Sequence, residues 1–264
     1  MKSVGVILTK DWLQKETNPI KICSKLKDYF PPLPAEAIHQ HLVRFGMARS
    51  IRKNTVKQMI EKKLWEKVER IYRTLKKEWK GPDIPIFIFP VEASNGILSV
   101  DFNGRSGLSF SDKLFLFLSP TVTEKALEAV LMHEYHHVCR LYHHDKDEEE
   151  YTLLDTIILE GLAEYVVQER LGEDALTHWM TKYPPSQLRR WWEKWVKDDQ
   201  NIKPDEEKYI QILYGKGFYP NMLGYALGYE MVKTFYQKNK RAIADTFTVS
   251  AKTIAQTYET QGDS

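Results

Sequence analysis

The sequence predicts an α+β protein, with helices towards both ends and a small, mostly antiparallel sheet between them. Three observations lead there. Between residues 55 and 79, Val56, Ile60, Leu64, Val68, Ile71, Leu75 and Trp79 recur at steps of three and four, the spacing of one amphipathic helix face. Residues 84–119 change to short apolar runs separated by Asn, Gly and Ser, the texture of strands and turns. Helical patterning returns after Pro120 and continues for most of the remaining chain.

Taken in order, the first third is helical, interrupted by Pro31, Pro32 and Pro34. The long helix over 55–79 stops at Gly81-Pro82. IPIFIF at 84–89 reads as a buried strand, ILSVDF gives a second over 97–102, and Asn103-Gly104 signals a hairpin. GLSFS and KLFLFLS complete the sheet near Ser119. Thr121 and Glu124 have the spacing of a capping box, which starts a helix running to about Tyr142. An acidic loop at 143–150 leads to a helix over roughly 151–171 that ends at Gly172. Further helices follow Pro184, with breaks at 201–204 and 214–220. The last clear one begins near Asn221, and the tail after about Gln256 reads as loose.

Bulk properties exclude several classes. With 264 residues, 42% hydrophobic and 28% charged, the chain can bury a sizeable core. A net charge of +2 lacks the basic bias of a nucleic-acid binder. Two cysteines, Cys23 and Cys139, give no disulfide framework and fit a reducing compartment. The apolar run Val4 to Leu8 is too short for a signal-peptide core, and no stretch reaches the ~20 apolar residues of a membrane span. The expectation is a soluble cytoplasmic protein that binds neither nucleic acid nor membrane. Trp191, Trp192 and Trp195, interleaved with Arg189, Arg190 and Lys194, read as core aromatics beside a solvated face.

The chemistry is concentrated in HEYHH at residues 133–137, which matches H-E-x-x-H. Four residues of helix turn about 400° and rise about 6 Å, so His133 and His137 leave one face in register. Their ring nitrogens can meet one zinc ion at ~2.0–2.1 Å. Glu134 stands beside the metal rather than on it, where it can act as general base on zinc-activated water. His136 points about 100° away from His137 and reads as packing.

A catalytic zinc site needs a third protein ligand. His143 has the spacing of the metzincin pattern, but that pattern needs a glycine where Arg140 stands. On a continuing helix His143 lies ~9 Å further along and off the His137 face. Glu160, within LEGLAEY on the next helix, is the better candidate. Glu164 lies one turn further on the same face, where it could accept a hydrogen bond from a ligand histidine. Gly161 costs a helix ~1 kcal/mol, so its presence suggests close packing between those two helices.

HEYHH followed by EGLAE resembles the gluzincins, in which a glutamate on a second helix completes the metal site. Together with the later GYALGYEMV, it is similar to a bacterial family of predicted zinc-dependent proteases long known as a domain of unknown function. The likeness spans roughly residues 84–240, and the N-terminal helices add little to it. The resemblance implies one zincin-like metallohydrolase domain over 1–264, with a helical N-terminal part at 1–80 and a catalytic part at 84–240. It implies zinc as cofactor, His133, His137 and Glu160 as ligands and Glu134 as base; no substrate follows from it, and the leading expectation from the zinc and base chemistry is a peptidase acting on a peptide or protein. By analogy with zincins, the strand around GLSFS would align an extended peptide. Gluzincins usually add a tyrosine or histidine that holds the oxyanion. Tyr214, Tyr219, Tyr225 and Tyr229 are available, Tyr225 is the first choice and Tyr219 the second. The competing expectation is a regulatory or binding protein with zinc as a structural staple. Such a site usually has four protein ligands and needs no carboxylate like Glu134.

Overall fold

The computed structural model describes residues 5–92, 105–144, 146 and 150–260. Among these residues it is an α+β fold, dominated by helix, with one four-stranded sheet. The chain forms two compact units, Met1–Val138 and Cys139–Ser264, and the division falls inside a helix.

In the first unit, β1 (Gly5–Val6) is followed by α1 (Thr9–Lys15), α2 (Pro19–Cys23), α3 (Ala35–Arg44), α4 (Lys53–Glu61) and α5 (Leu64–Trp79). The expected single helix over 55–79 is therefore two. Lys63 adopts a left-handed conformation, φ 55°, and breaks the register between Glu61 and Leu64. No Gly or Pro marks the break, so the periodicity carries straight through it. On α5 the buried face is Leu64, Trp65, Val68, Tyr72, Leu75 and Trp79.

The sheet has the order β1-β2-β4-β3, with β2 at Pro85–Pro90, β3 at Arg105–Ser109 and β4 at Leu114–Leu118. β1 and β4 both run parallel to β2, and only β3 pairs antiparallel, with β4. The expectation of a mostly antiparallel sheet is thus overturned. Every residue of PIFIFP and LFLFL is buried. A strand covered on both faces shows an unbroken apolar run rather than alternation, which is the signature of buried parallel strands. The other surprise is β1, drawn from the short apolar run near the N-terminus. The strand expected at 97–102 and the Asn103-Gly104 hairpin lie outside the described residues.

Phe87 and Phe115 stack across β2 and β4 with ring centroids 4.8 Å apart. Each such fully buried ring contributes on the order of 2–3 kcal/mol of transfer free energy. Thr9, fully buried, donates to the Ile88 carbonyl at 2.6 Å and accepts from the Trp65 indole at 2.9 Å, tying α1 and α5 to the central strand.

α6 (Glu124–His143) leaves the sheet after Pro120. Its cap is Thr123, whose hydroxyl accepts from the Ala126 amide at 3.1 Å, not Thr121, which hydrogen-bonds Ser119 in the preceding turn. The threonine two positions later wins because its side chain sits where the first free helical amides point.

The second unit is helical: α7 (Leu153–Leu171), α8 (Pro185–Trp191), α9 (Glu207–Tyr214), α10 (Leu223–Lys238) and α11 (Ala251–Glu259). α7 is buried almost all round, as its run TIILEGLAEYVV requires of a central helix. Thr152 and Asp155 form its capping box, and it ends at Gly172. Residues 257–259, part of the tail expected to be loose after Gln256, are instead the last turn of α11, which buries Ala251, Ile254, Ala255 and Tyr258. Two of those four positions are alanines, so the apolar stripe was faint in sequence. The Arg140 guanidinium donates to the carbonyls of Thr246, Phe247 and Val249, anchoring the segment before α11. Burial draws its pKa down to about 10.

Gly161 serves a different contact from the one expected. A Cβ there would lie 2.2 Å from the Gly228 carbonyl of α10, and a Cβ on Gly228 would lie 1.9 Å from the Ile157 carbonyl. The two glycines are what let α7 and α10 cross backbone to backbone.

Candidate metal centre

α6 carries two sets of side chains. Tyr135 and His136, both fully buried, pack towards α5. Tyr135 stacks on Trp79 and donates to the Pro82 carbonyl at 3.0 Å, and His136 meets Trp79 edge-on at 5.9 Å. His136 is thus a packing residue, as its helical angle suggested. His133, Glu134 and His137 belong to the other set. The rings of His133 and His137 lie 4.5 Å apart at 81°, and their Nε2 atoms approach to 2.9 Å. One donor atom from each of His133, His137 and Glu160 lies within 4.8 Å of the other two.

This group could hold a metal ion, and its chemistry suits zinc. Two imidazole nitrogens and one carboxylate oxygen are the ligand types of open, three-ligand zinc sites. Two nitrogens on a tetrahedral zinc stand about 3.3 Å apart, close to the observed separation of the Nε2 pair.

His143 is not in the group. α6 runs unbroken to it, and its ring is stacked on Phe247, centroids 5.9 Å apart. Cys23 and Cys139 are both buried and form no disulfide, and burial pushes the Cys23 thiol up to about 12. Neither is placed to act as a ligand in this group.

Glu134 is held from β3. Ser109 Oγ donates to Glu134 Oε2 at 2.5 Å and lies 2.9 Å from the Glu134 carbonyl oxygen. Gly107, two residues earlier on the same strand face, lies against the same side chain. A Cβ there would fall 2.3 Å from Glu134 Cγ and 2.6 Å from Oε1. Neither residue was singled out from sequence. The only trace was that both belong to GLSFS, the strand marked for a possible substrate role.

Glu164 is buried one turn beyond Glu160 on α7. The four tyrosines separate clearly. Tyr229 is buried and donates to Gln168 at 2.5 Å. Tyr219 is buried against Trp195 and Phe218. Tyr225 is partly buried and pairs with Tyr214, ring centroids 5.9 Å apart. Burial raises the Tyr214 phenol, Glu160 adds to the rise, and a hydrogen bond with Tyr225 opposes it.

Fold and site together define a protein with a candidate metal centre of two helix-borne histidines and one glutamate, preceded by a small mixed sheet. Residues 64–256 match the family described as "Predicted Zn-dependent protease (DUF2268)". The chain belongs to that family. The match begins at α5 and reaches into α11, wider than the 84–240 stretch marked from sequence. The chain is 40% identical to the uncharacterized protein YjaZ of Bacillus subtilis (strain 168), over 95% of this chain and 98% of that one. It is also 28% identical to the uncharacterized protein YjfC of the same organism, over 48% of this chain and 46% of that one. No solved structure matches the chain.

Proposed function

We propose that this protein is a zinc-dependent peptidase of the gluzincin type, acting on peptide or protein substrates in the cytoplasm. The observation that carries the reading is the separation of roles on α6. His133 and His137 converge with Glu160 as a three-donor group, while Glu134 stands outside it, its carboxylate held by Ser109. A structural zinc staple has no use for that fourth, separately supported carboxylate. The family description favours the same chemistry, and the two cysteines outside any disulfide fit a reducing compartment.

In this reading His133, His137 and Glu160 hold the zinc, and Glu164 fixes a ligand imidazole through its second ring nitrogen. Bound zinc supplies Lewis acidity that polarises the scissile carbonyl and acidifies water. Glu134 takes a proton from the attacking water as the C–O bond forms, then passes it to the leaving amine as the C–N bond breaks. Tyr225 donates to the carbonyl oxygen as negative charge builds on it.

Incubation of the zinc-loaded protein with a diverse peptide library, read by mass spectrometry, tests the activity. Wild type should yield defined cleavages. Glu134→Gln should abolish them by orders of magnitude while elemental analysis still finds the zinc. Equal cleavage by that variant would overturn the assignment, and a wild type that binds zinc yet cuts nothing would favour a zinc-containing binding protein.

A further inference from the structure

We infer that β3 is a cradle for the catalytic carboxylate, in which Ser109 and Gly107 position Glu134. The inference rests on the peptidase reading for its consequence in turnover, but the placement itself stands on the geometry of these three residues.

Two independent features of β3 meet the same side chain. Ser109 and Gly107 are two residues apart on a strand, so they face the same side. From that side the Ser109 hydroxyl reaches Glu134 Oε2 at 2.5 Å. The missing side chain at Gly107 leaves the space that Glu134 Cγ, Cδ and Oε1 fill, since any Cβ there would lie within 2.6 Å of all three. Its φ is not in the left-handed region, so backbone freedom does not explain the glycine. Space for Glu134 does. β3 is also the edge strand of the sheet among the described residues, paired on one side by β4.

This arrangement assigns the two carboxylate oxygens different tasks. Oε2 is occupied by Ser109, which leaves Oε1 as the oxygen that faces the reacting water. A free glutamate rotates between equivalent orientations, and holding it in one removes that search from the reaction step. The hydroxyl also has a partner at both stages of a proton shuttle. While Glu134 is a carboxylate, Ser109 donates to Oε2. Once Oε1 carries the proton, Oε2 is still an acceptor, so Ser109 goes on donating to it, with the Glu134 carbonyl oxygen 2.9 Å away as its second acceptor. The same small group therefore keeps the carboxyl in place as it accepts a proton and as it releases it. Ser109 is a positioning residue: it touches the base, and neither substrate nor metal is needed to explain its contacts.

The test combines kinetics with crystallography of the zinc-loaded full chain. Ser109→Ala should lower kcat about tenfold or more with KM and zinc content little changed, and Ser109→Thr, which keeps the hydroxyl, should recover most of the loss. Gly107→Ala should lower kcat with zinc retained, because Glu134 must swing away from the added methyl. In a Glu134→Gln background, Ser109→Ala should have no further effect on residual turnover. Crystal structures of Ser109→Ala and Gly107→Ala should show the Glu134 carboxylate displaced from its wild-type position. An unmoved carboxylate together with unchanged kcat in Ser109→Ala would overturn the proposal. A wild type that cleaves no peptide would sink the peptidase reading alone, because carboxylate displacement in the crystals still decides the cradle.

Discussion

Two phenols feel the Glu160 carboxylate. Burial pushes Tyr209 up to about 12, and the Tyr214 phenol rises for the same first reason, with Glu160 adding to both. Tyr209 is engaged by the Thr156 hydroxyl at 2.6 Å, one turn before Glu160 on α7. Tyr214, which feels the glutamate, is hydrogen-bonded to Tyr225. Losing one donor to an oxyanion costs about a hundredfold to a thousandfold in turnover. Tyr225→Phe should therefore lower kcat at least about tenfold, with zinc content and melting temperature unchanged. Steady-state kinetics on any peptide the wild type cleaves would decide it. If Tyr225→Phe turns over normally and Tyr214→Phe does not, Tyr214 is the donor and Tyr225 only supports it. Tyr219 and Tyr229 are poor rivals, because both are buried in packing contacts of their own.

At the scale of the element, α7 depends on its first turn. Asp155 Oδ2 accepts from the Thr152 amide at 2.9 Å, the Thr152 hydroxyl at 2.7 Å and the Lys146 ammonium at 2.5 Å. Burial raises the Asp155 carboxyl, but the hydrogen bonds from Lys146 and Thr152 together outweigh it and hold the carboxyl below the usual aspartate value. A carboxyl whose folded pKa is depressed contributes stability above its unfolded pKa. That contribution is lost as pH falls through the folded value. Wild type should thus lose stability below about pH 4 through this group. Asp155→Asn should melt earlier at neutral pH and show a shallower acid dependence. Thermal melts across the acid range check the sign, and parallel acid profiles for the two proteins would remove Asp155 from the account.

At the scale of the whole molecule, one three-donor group among the described residues predicts one zinc per chain. A ligand that binds only the native state at a hundred times its dissociation constant stabilises that state by about 2.7 kcal/mol. Removing zinc with a chelator should lower the melting temperature by on the order of 5–10 °C for a chain of this size. His133→Ala, His137→Ala and Glu160→Ala should each bind zinc weakly and lose most of that response. Full zinc content in Glu160→Ala, by elemental analysis, would show that the third ligand is another residue. No helix among the described residues is long and apolar enough to cross a membrane.

What depends on neighbours along one helix was legible in the residues alone. His133 and His137 converge because four residues make about one turn, and Glu160 stood out because EGLAE lies in an apolar helix one loop later. The α+β class, most helices and the edges at Gly172 and Pro120 were legible for the same reason: periodicity and caps are local. Tertiary structure alone decided the rest. The sheet is mostly parallel because β1 and β4 flank β2, a pairing between segments far apart in the chain that no local pattern specifies. The signal lay in the unbroken apolar runs, which report two covered faces. Lys63 breaks a helix whose periodicity ran straight through it, because a left-handed residue leaves no mark in composition. Gly161 looked like a spacer for the motif helix and is instead the crossing point with Gly228, since a glycine announces close approach without naming the partner. Ser109 and Gly107 were unremarkable letters in a strand until β3 was laid against Glu134. A hydroxyl acquires a role only from the group the fold places within its reach.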